Sequence, residues 1–110
     1  NKIGTYEKAV VAYENNIPFY IAAPVSTIDF NHINSNDITI EERSIDEMRK
    51  VSGIDKNHIL EVQIYPEKSN SLNIAFDVTP SKFISGIICE YGIFEASIKG
   101  IKEIFARLSE

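Results

Sequence analysis

Asn1 and Lys2 stand directly ahead of a stretch with helical spacing, and Gly4 falls between them and that stretch. A helix N-terminus carries unpaired amides and a partial positive charge, and Lys2 adds a full one. Gly4 lets another group approach the backbone closely. The combination suits an anion, although on residue types alone a solvated chain end is the plainer reading. Cys89 sits beside Ile87 and Ile88 with no cationic neighbour to lower its pKa, so it reads as a small buried hydrophobe rather than a nucleophile. His32 and His58 have no second ligand at zinc spacing, and no metal site is expected. Ser26, Thr27 and Asp29 follow an apolar run, where ligands of α/β proteins often bind, but Ser and Thr there are more often turn formers. Adjacent carboxylates in Glu41-Glu42-Arg43 point apart on a strand or loop, so a surface or interface salt bridge is favoured over acid–base work. Asp77 precedes Thr79-Pro80 and either orients the helix start expected there or touches a ligand, with the structural role ahead.

These residues need elements to position them. Ile3, Tyr6, Val10 and Tyr13 recur at three- and four-residue spacing, which predicts a helix over 4–15, stopped by Asn15-Asn16. Pro18 to Pro24 is apolar without alternation and predicts a parallel strand buried on both faces. A polar loop is expected at 31–36 and a short edge strand at 38–40. Ser44 with Glu47 three residues on is a capping-box pattern for a helix over 45–51, closed by Gly53. Strands are expected at 58–64 and 73–78, with a polar, mobile stretch at 66–73. Thr79-Pro80 predicts the start of a helix built on Phe83, Ile84, Ile87 and Ile88 and stopped by Gly92. Ile98, Ile101, Ile104, Phe105 and Leu108 mark a terminal helix whose apolar face is expected in the core; exposed, it would mark a subunit contact. Helices interleaved with strands indicate a layered α/β fold. No internal repeat or clear linker divides the chain, which reads as one domain or half of one.

Eleven Lys and Arg against sixteen Asp and Glu leave a formal charge of −5. That balance argues against nonspecific nucleic-acid binding and attraction to anionic membranes, both of which need clustered cations. No apolar run approaches the roughly 18 residues of a membrane-spanning helix. A single cysteine makes no internal disulfide, and a reducing cytoplasm is the expected compartment. Opening on Asn-Lys-Ile-Gly rather than Met, the chain is expected to be a segment of something longer.

Four blocks in order resemble the 5-methylthioribose-1-phosphate isomerases, relatives of the regulatory subunits of translation initiation factor 2B. They are Asn-Lys-Ile-Gly-Thr-Tyr at 1–6, Pro-Phe-Tyr-Ile-Ala-Ala-Pro-Val-Ser-Thr-Ile-Asp at 18–29, Ile-Glu-Glu-Arg at 40–43 and Ala-Phe-Asp-Val-Thr-Pro at 75–80. The match is weakest over 44–73, and Thr39 and Ile74 stand where that family commonly has Pro. The initiation-factor subunits share the Gly-Thr helix and the Pro-Phe-Tyr strand but usually lack Ala-Pro-x-Ser-Thr-x-Asp and Glu-Glu-Arg, and ribose-1,5-bisphosphate isomerases depart at the same places.

The resemblance implies a Rossmann-like three-layer α/β domain, with a mostly parallel sheet flanked by helices. Residues 1–110 would form the C-terminal lobe of a longer, homodimeric aldose–ketose isomerase of methionine salvage, working with its own N-terminal part. It would convert 5-methylthioribose 1-phosphate to 5-methylthioribulose 1-phosphate without metal or organic cofactor. In that family a Cys and an Asp protonate the ring oxygen and move hydrogen between C1 and C2, and both precede the segment present here. No catalytic residue is therefore expected in this chain, which alone would be inactive. Asn1 and Lys2 are implied to bind the sugar-phosphate substrate. The alternative is a noncatalytic regulatory subunit related to initiation factor 2B, or a related ribose-phosphate isomerase.

Overall fold

A computed structural model describes residues 1–32 and 38–108. In chain order the elements are α1 (Thr5–Glu14), β1 (Tyr20–Ala22), α2 (Asp46–Arg49), β2 (Lys50–Asp55), β3 (His58–Gln63), β4 (Gly86–Cys89), β5 (Gly92–Phe94) and α3 (Ile98–Arg107). Single 3-10 turns span Val25–Thr27 and Ser81–Phe83. The chain divides into two compact units, one formed by Asn1–Thr39 with Asp77–Glu110, the other by Ile40–Phe76. Beyond its first two residues, the polar loop expected at 31–36 lies outside the described residues.

In the first unit, α1 follows the apolar spacing read from the sequence. Its end is a Schellman closure: Asn16 takes φ 56°, its N–H bonds the Tyr13 carbonyl at 3.1 Å, and the Ile17 N–H bonds that of Ala12 at 2.9 Å. The helix packs on the second 3-10 turn, where the Tyr13 ring meets Phe83 edge-on at 5.3 Å and Tyr6 tilts over it at 5.9 Å. Strand β1 lies parallel to β4, in register Tyr20 to Gly86 and Ala22 to Ile88, and β5 returns antiparallel to β4. The expected parallel strand is thus present but shorter, and it is not buried on both faces: Tyr20 and Ala22 are exposed and Ile21 half-buried. The three-stranded sheet, in order β1-β4-β5, has one parallel and one antiparallel pairing, and β2 with β3 forms a separate antiparallel pair, so among the described strands pairing is not mostly parallel.

The helix expected after Thr79-Pro80 is corrected. Pro80 is extended (ψ 137°), only one 3-10 turn follows, and the chain then runs into β4. The apolar spacing of Phe83, Ile84, Ile87 and Ile88 fits a helix, but Ile-Ile-Cys suits a strand equally, and pairing with β1 decides. Gly86 is buried against the Tyr20 ring, where a Cβ would lie 3.0 Å from the Phe94 carbonyl oxygen. Gly92, expected as a helix stop, instead opens β5 with φ 127°, opposite Cys89 across the two-residue turn from β4.

The terminal helix forms as expected, started by Ser97, whose side chain accepts from the Gly100 N–H at 3.2 Å. Its apolar face is only partly core. Ile104 is fully buried, but Ile98 is 68% exposed, and Phe105 and Leu108 are also exposed. Gly100 is buried against the backbone of Glu95, and a side chain there would collide with the Glu95 carbonyl.

The second unit departs most from expectation. The capping box does not close: Glu47 turns to the Arg43 guanidinium, bonding it twice at 2.8 and 2.9 Å, and α2 lasts a single turn. Residues 50–55, expected to finish a helix at Val51 and Gly53, form β2 instead. They pair antiparallel with β3, which matches the strand expected at 58–64. Lys56 and Asn57 both have positive φ (44° and 69°), the pattern of a two-residue type I′ hairpin turn. The strand expected at 73–78 reduces to isolated bridge residues, Ile74 (opposite Glu42) and Phe76, and residues 38–40 form no strand. Alternation at such short length makes no strand without a neighbour to pair with.

Candidate functional site

At the start of α1, Gly4 is the N-cap residue with φ 94°, a left-handed conformation, and it has no side chain to satisfy the first amides. Asp77 supplies one from far along the chain. Its Oδ2 accepts from the Gly4 N–H at 2.8 Å and from the Tyr6 N–H at 3.1 Å. The Asp77 N–H also bonds the Asn1 carbonyl at 2.9 Å, and the Asn1 nitrogen reaches the Asp77 carbonyl at 3.1 Å. The Lys2 carbonyl accepts from both the Thr5 N–H (3.1 Å) and the Thr5 hydroxyl (2.6 Å). Asn1 and Lys2 are exposed with their main chain pinned on both sides.

This geometry corrects part of the sequence argument. Of the helix-end amides credited with anion binding, those of Gly4 and Tyr6 are taken by a carboxylate and that of Thr5 by the Lys2 carbonyl, so an anion here would lean chiefly on the Lys2 ammonium and the Asn1 amide. It also settles which helix Asp77 orients: α1, not one beginning at Thr79. Thr79 Oγ1, expected as a cap, is buried without a hydrogen-bond partner among the described residues, as is Asp77 Oδ1.

A second cluster stands at the carboxyl end of the parallel pair. The β1 chain runs on through Ala23, whose N–H bonds the Ile88 carbonyl at 3.0 Å, into the turn holding Ser26 and Thr27. The Thr27 N–H closes that turn on the Pro24 carbonyl at 2.9 Å, so both residues act as turn formers and their side chains remain exposed. Glu90, directly after β4, receives the Val25 N–H at 2.8 Å and ties the two strand ends together. Sequence reading missed Glu90; its only signal was a carboxylate following an apolar run. Further along, Asp29 binds the Asn31 N–H at 2.9 Å and the His32 Nδ1 at 2.6 Å, which holds its carboxyl below the usual carboxylate range. Asp29, His32 and Lys102 line a cavity of about 440 Å³ together with apolar residues that include Phe30, Ile98 and Phe105.

The remaining candidates are scattered. Cys89 ends β4 opposite Gly92, half-buried, rather than lying mid-helix. His58 is exposed on β3 opposite Asp55. The salt bridge expected of the Glu41–Arg43 block exists at the surface, between Arg43 and Glu47. Hydrogen bonding to Arg43 lowers the Glu47 pKa, and the reciprocal bond raises that of Arg43. Among the described residues no group of three or more His, Cys, Asp or Glu could hold a metal ion, and no helix is long and apolar enough to cross a membrane.

Small sheets with one parallel pair, a helix started by a remote carboxylate and turns gathered at the strand ends define a mixed α/β protein. Its family follows from comparison: residues 1–96 match the Initiation factor 2 subunit family, and the chain belongs to it. It is 49% identical over 106 residues to the methylthioribose-1-phosphate isomerase of Desulfatibacillum aliphaticivorans and 47% identical over 107 residues to that of Sulfurimonas denitrificans. Each match covers 96% of this chain but only 29% and 30% of those relatives. The fold is similar to crystal structures of 5-methylthioribose 1-phosphate isomerase from Pyrococcus horikoshii (TM-score 0.79, 39% identity, 97% of this chain, 28% of that one) and of translation initiation factor eIF-2B subunit delta from A. fulgidus (0.77, 36%, 96%, 29%).

Proposed function

We propose that this chain is the C-terminal, Rossmann-like lobe of an aldose–ketose isomerase that converts 5-methylthioribose 1-phosphate to 5-methylthioribulose 1-phosphate. The observation that carries this reading is the 49% and 47% identity to named isomerases across nearly all of the chain. The solved isomerase and the eIF-2B subunit match the backbone almost equally, so the fold does not choose between them. The Ala-Pro-Val-Ser-Thr-Ile-Asp stretch at 23–29 and Glu-Glu-Arg at 41–43 favour the isomerase.

In this reading Lys2 and Asn1 hold the sugar phosphate through a full positive charge and a side-chain amide. The Cys and Asp that move protons come from the N-terminal part of the same protein. Oxidation at C2 is matched by reduction at C1, so the reaction needs no external redox partner. The protein works as a cytoplasmic homodimer, and the exposed Ile98, Phe105 and Leu108 of α3 supply an apolar face for such a contact.

The test is turnover of 5-methylthioribose 1-phosphate by the full-length protein, followed as the appearance of the ketose phosphate by NMR. Lys2→Ala is expected to raise KM about tenfold or more, the scale of losing a charge-assisted contact to phosphate. Absence of turnover in the unaltered protein would return the assignment to a regulatory subunit.

A further inference from the structure

We propose that Asp77 is a positioning residue for substrate binding: it does not touch the sugar phosphate but sets the conformation from which Asn1 and Lys2 reach it. This inference rests on the binding role of Asn1 and Lys2 proposed above.

Three observations carry it. Gly4 gives α1 no side-chain cap of its own, and the local bonds from Thr5 to the Lys2 carbonyl leave the Gly4 and Tyr6 amides to be satisfied from elsewhere. Asp77 Oδ2 satisfies two amides of that start, Gly4 at 2.8 Å and Tyr6 at 3.1 Å. The Asp77 main chain pairs with that of Asn1 on the other side of Lys2, through the bond from its N–H to the Asn1 carbonyl at 2.9 Å. Lys2 is thus bracketed by contacts to one residue. A long flexible ammonium is placed by its backbone, and losing the bracket would disperse it without removing its charge. Asp77 Oδ2 takes two of the amides at the helix start, so a phosphate there leans on the lysine.

The contacts also assign the roles of the two carboxylate oxygens. Oδ2 does the holding, and Oδ1 is buried without a partner among the described residues. An asparagine can keep its carbonyl oxygen on the two amides, so charge is dispensable in a way that geometry is not.

The experiment compares Asp77→Ala, Asp77→Asn, Lys2→Ala and the Asp77→Ala/Lys2→Ala pair in the full-length protein, by steady-state kinetics with 5-methylthioribose 1-phosphate and by thermal unfolding. Asp77→Ala is expected to raise KM about tenfold while kcat changes by less than about threefold. Asp77→Asn should restore KM to within about threefold of the parent, and the double variant should bind no worse than Lys2→Ala alone. If Lys2→Ala impairs binding and Asp77→Ala does not, the positioning role is wrong and the binding role stands. An Asp77→Asn variant as poor as Asp77→Ala would overturn it too, because the carboxylate would then act by charge or direct contact. A drop in melting temperature with KM unchanged would reduce Asp77 to a purely structural cap. An unaffected Lys2→Ala would instead bring down the binding role from which the inference starts.

Discussion

The two units of this protein are held by different physics. In the first, the buried residues Ala9, Val25, Gly86, Gly100 and Ile104 come from α1, a turn, β4 and α3, so distant segments stabilise each other by excluding water. In the second, Ala75 is buried, but every residue of β2 and β3 is exposed, with Ile54 and Ile59 at 77% and 79%. That hairpin relies on its turn, its ladder and cross-strand pairs such as Val51 with Val62 and Lys50 with Glu61. A two-stranded hairpin with so little burial is marginal in water. Burial makes a fold robust; local pairing alone makes it conditional.

Ile104→Ala offers the hardest test of that contrast, because it empties a fully buried site and should cost about 2–5 kcal/mol by chemical denaturation. Ile59→Ala in the hairpin should stay within about 0.5 kcal/mol. Equal losses would break the comparison. Gly100→Ala comes next. It forces a methyl group against Glu95 and should cost about 1–3 kcal/mol, seen as a lower melting temperature. A smaller gain is expected from Asn57→Gly, since Asn57 sits at φ 69°; relief of that conformation should stabilise the hairpin by a few tenths of a kcal/mol and slow its amide exchange. Hairpin amides should in any case exchange faster than those of β4, and the reverse order would contradict the ranking.

The smallest effect concerns pH. Glu47 is lowered from 4.5 by its bonds to Arg43, so the folded state binds this proton less readily than the unfolded chain. The pair's contribution is present above the unfolded value and is lost as pH falls through the lowered folded one. Both side chains are about half exposed, so its size is that of a surface pair. Arg43→Gln should let the Glu47 carboxyl titrate higher by NMR; an unchanged titration would show that Arg43 is not the cause.

The same contrast decided how much could be read in advance. The helices α1 and α3 were legible because their apolar residues repeat at helical spacing, and Asn16 closes the first in the left-handed conformation expected of it. Over 79–92 the spacing Phe83, Ile84, Ile87, Ile88 satisfied a helix and a strand alike, and the Thr-Pro start signal misled. Over 44–55 a single helical turn forms beside the Ser44–Glu47 pattern, but its N-cap is Ile45 without a side-chain cap bond, Arg43 holds Glu47, and the partner strand for 50–55 was in view but unpaired. At the candidate site, Asn1, Lys2 and Asp77 were each singled out, but their association was not, since they lie more than seventy positions apart.

By itself the sequence determined composition, charge, helical periodicity and the motif blocks that place the chain in its family, because those depend on residue types at short separation. Only the tertiary structure decided that Gly86–Ile88 pairs with Tyr20–Ala22, that Ile98, Phe105 and Leu108 of the last apolar face stay uncovered, and that Asp77 starts a helix at the other end of the chain. Such choices turn on which distant group reaches an unsatisfied amide or apolar surface first, and no local pattern encodes that competition.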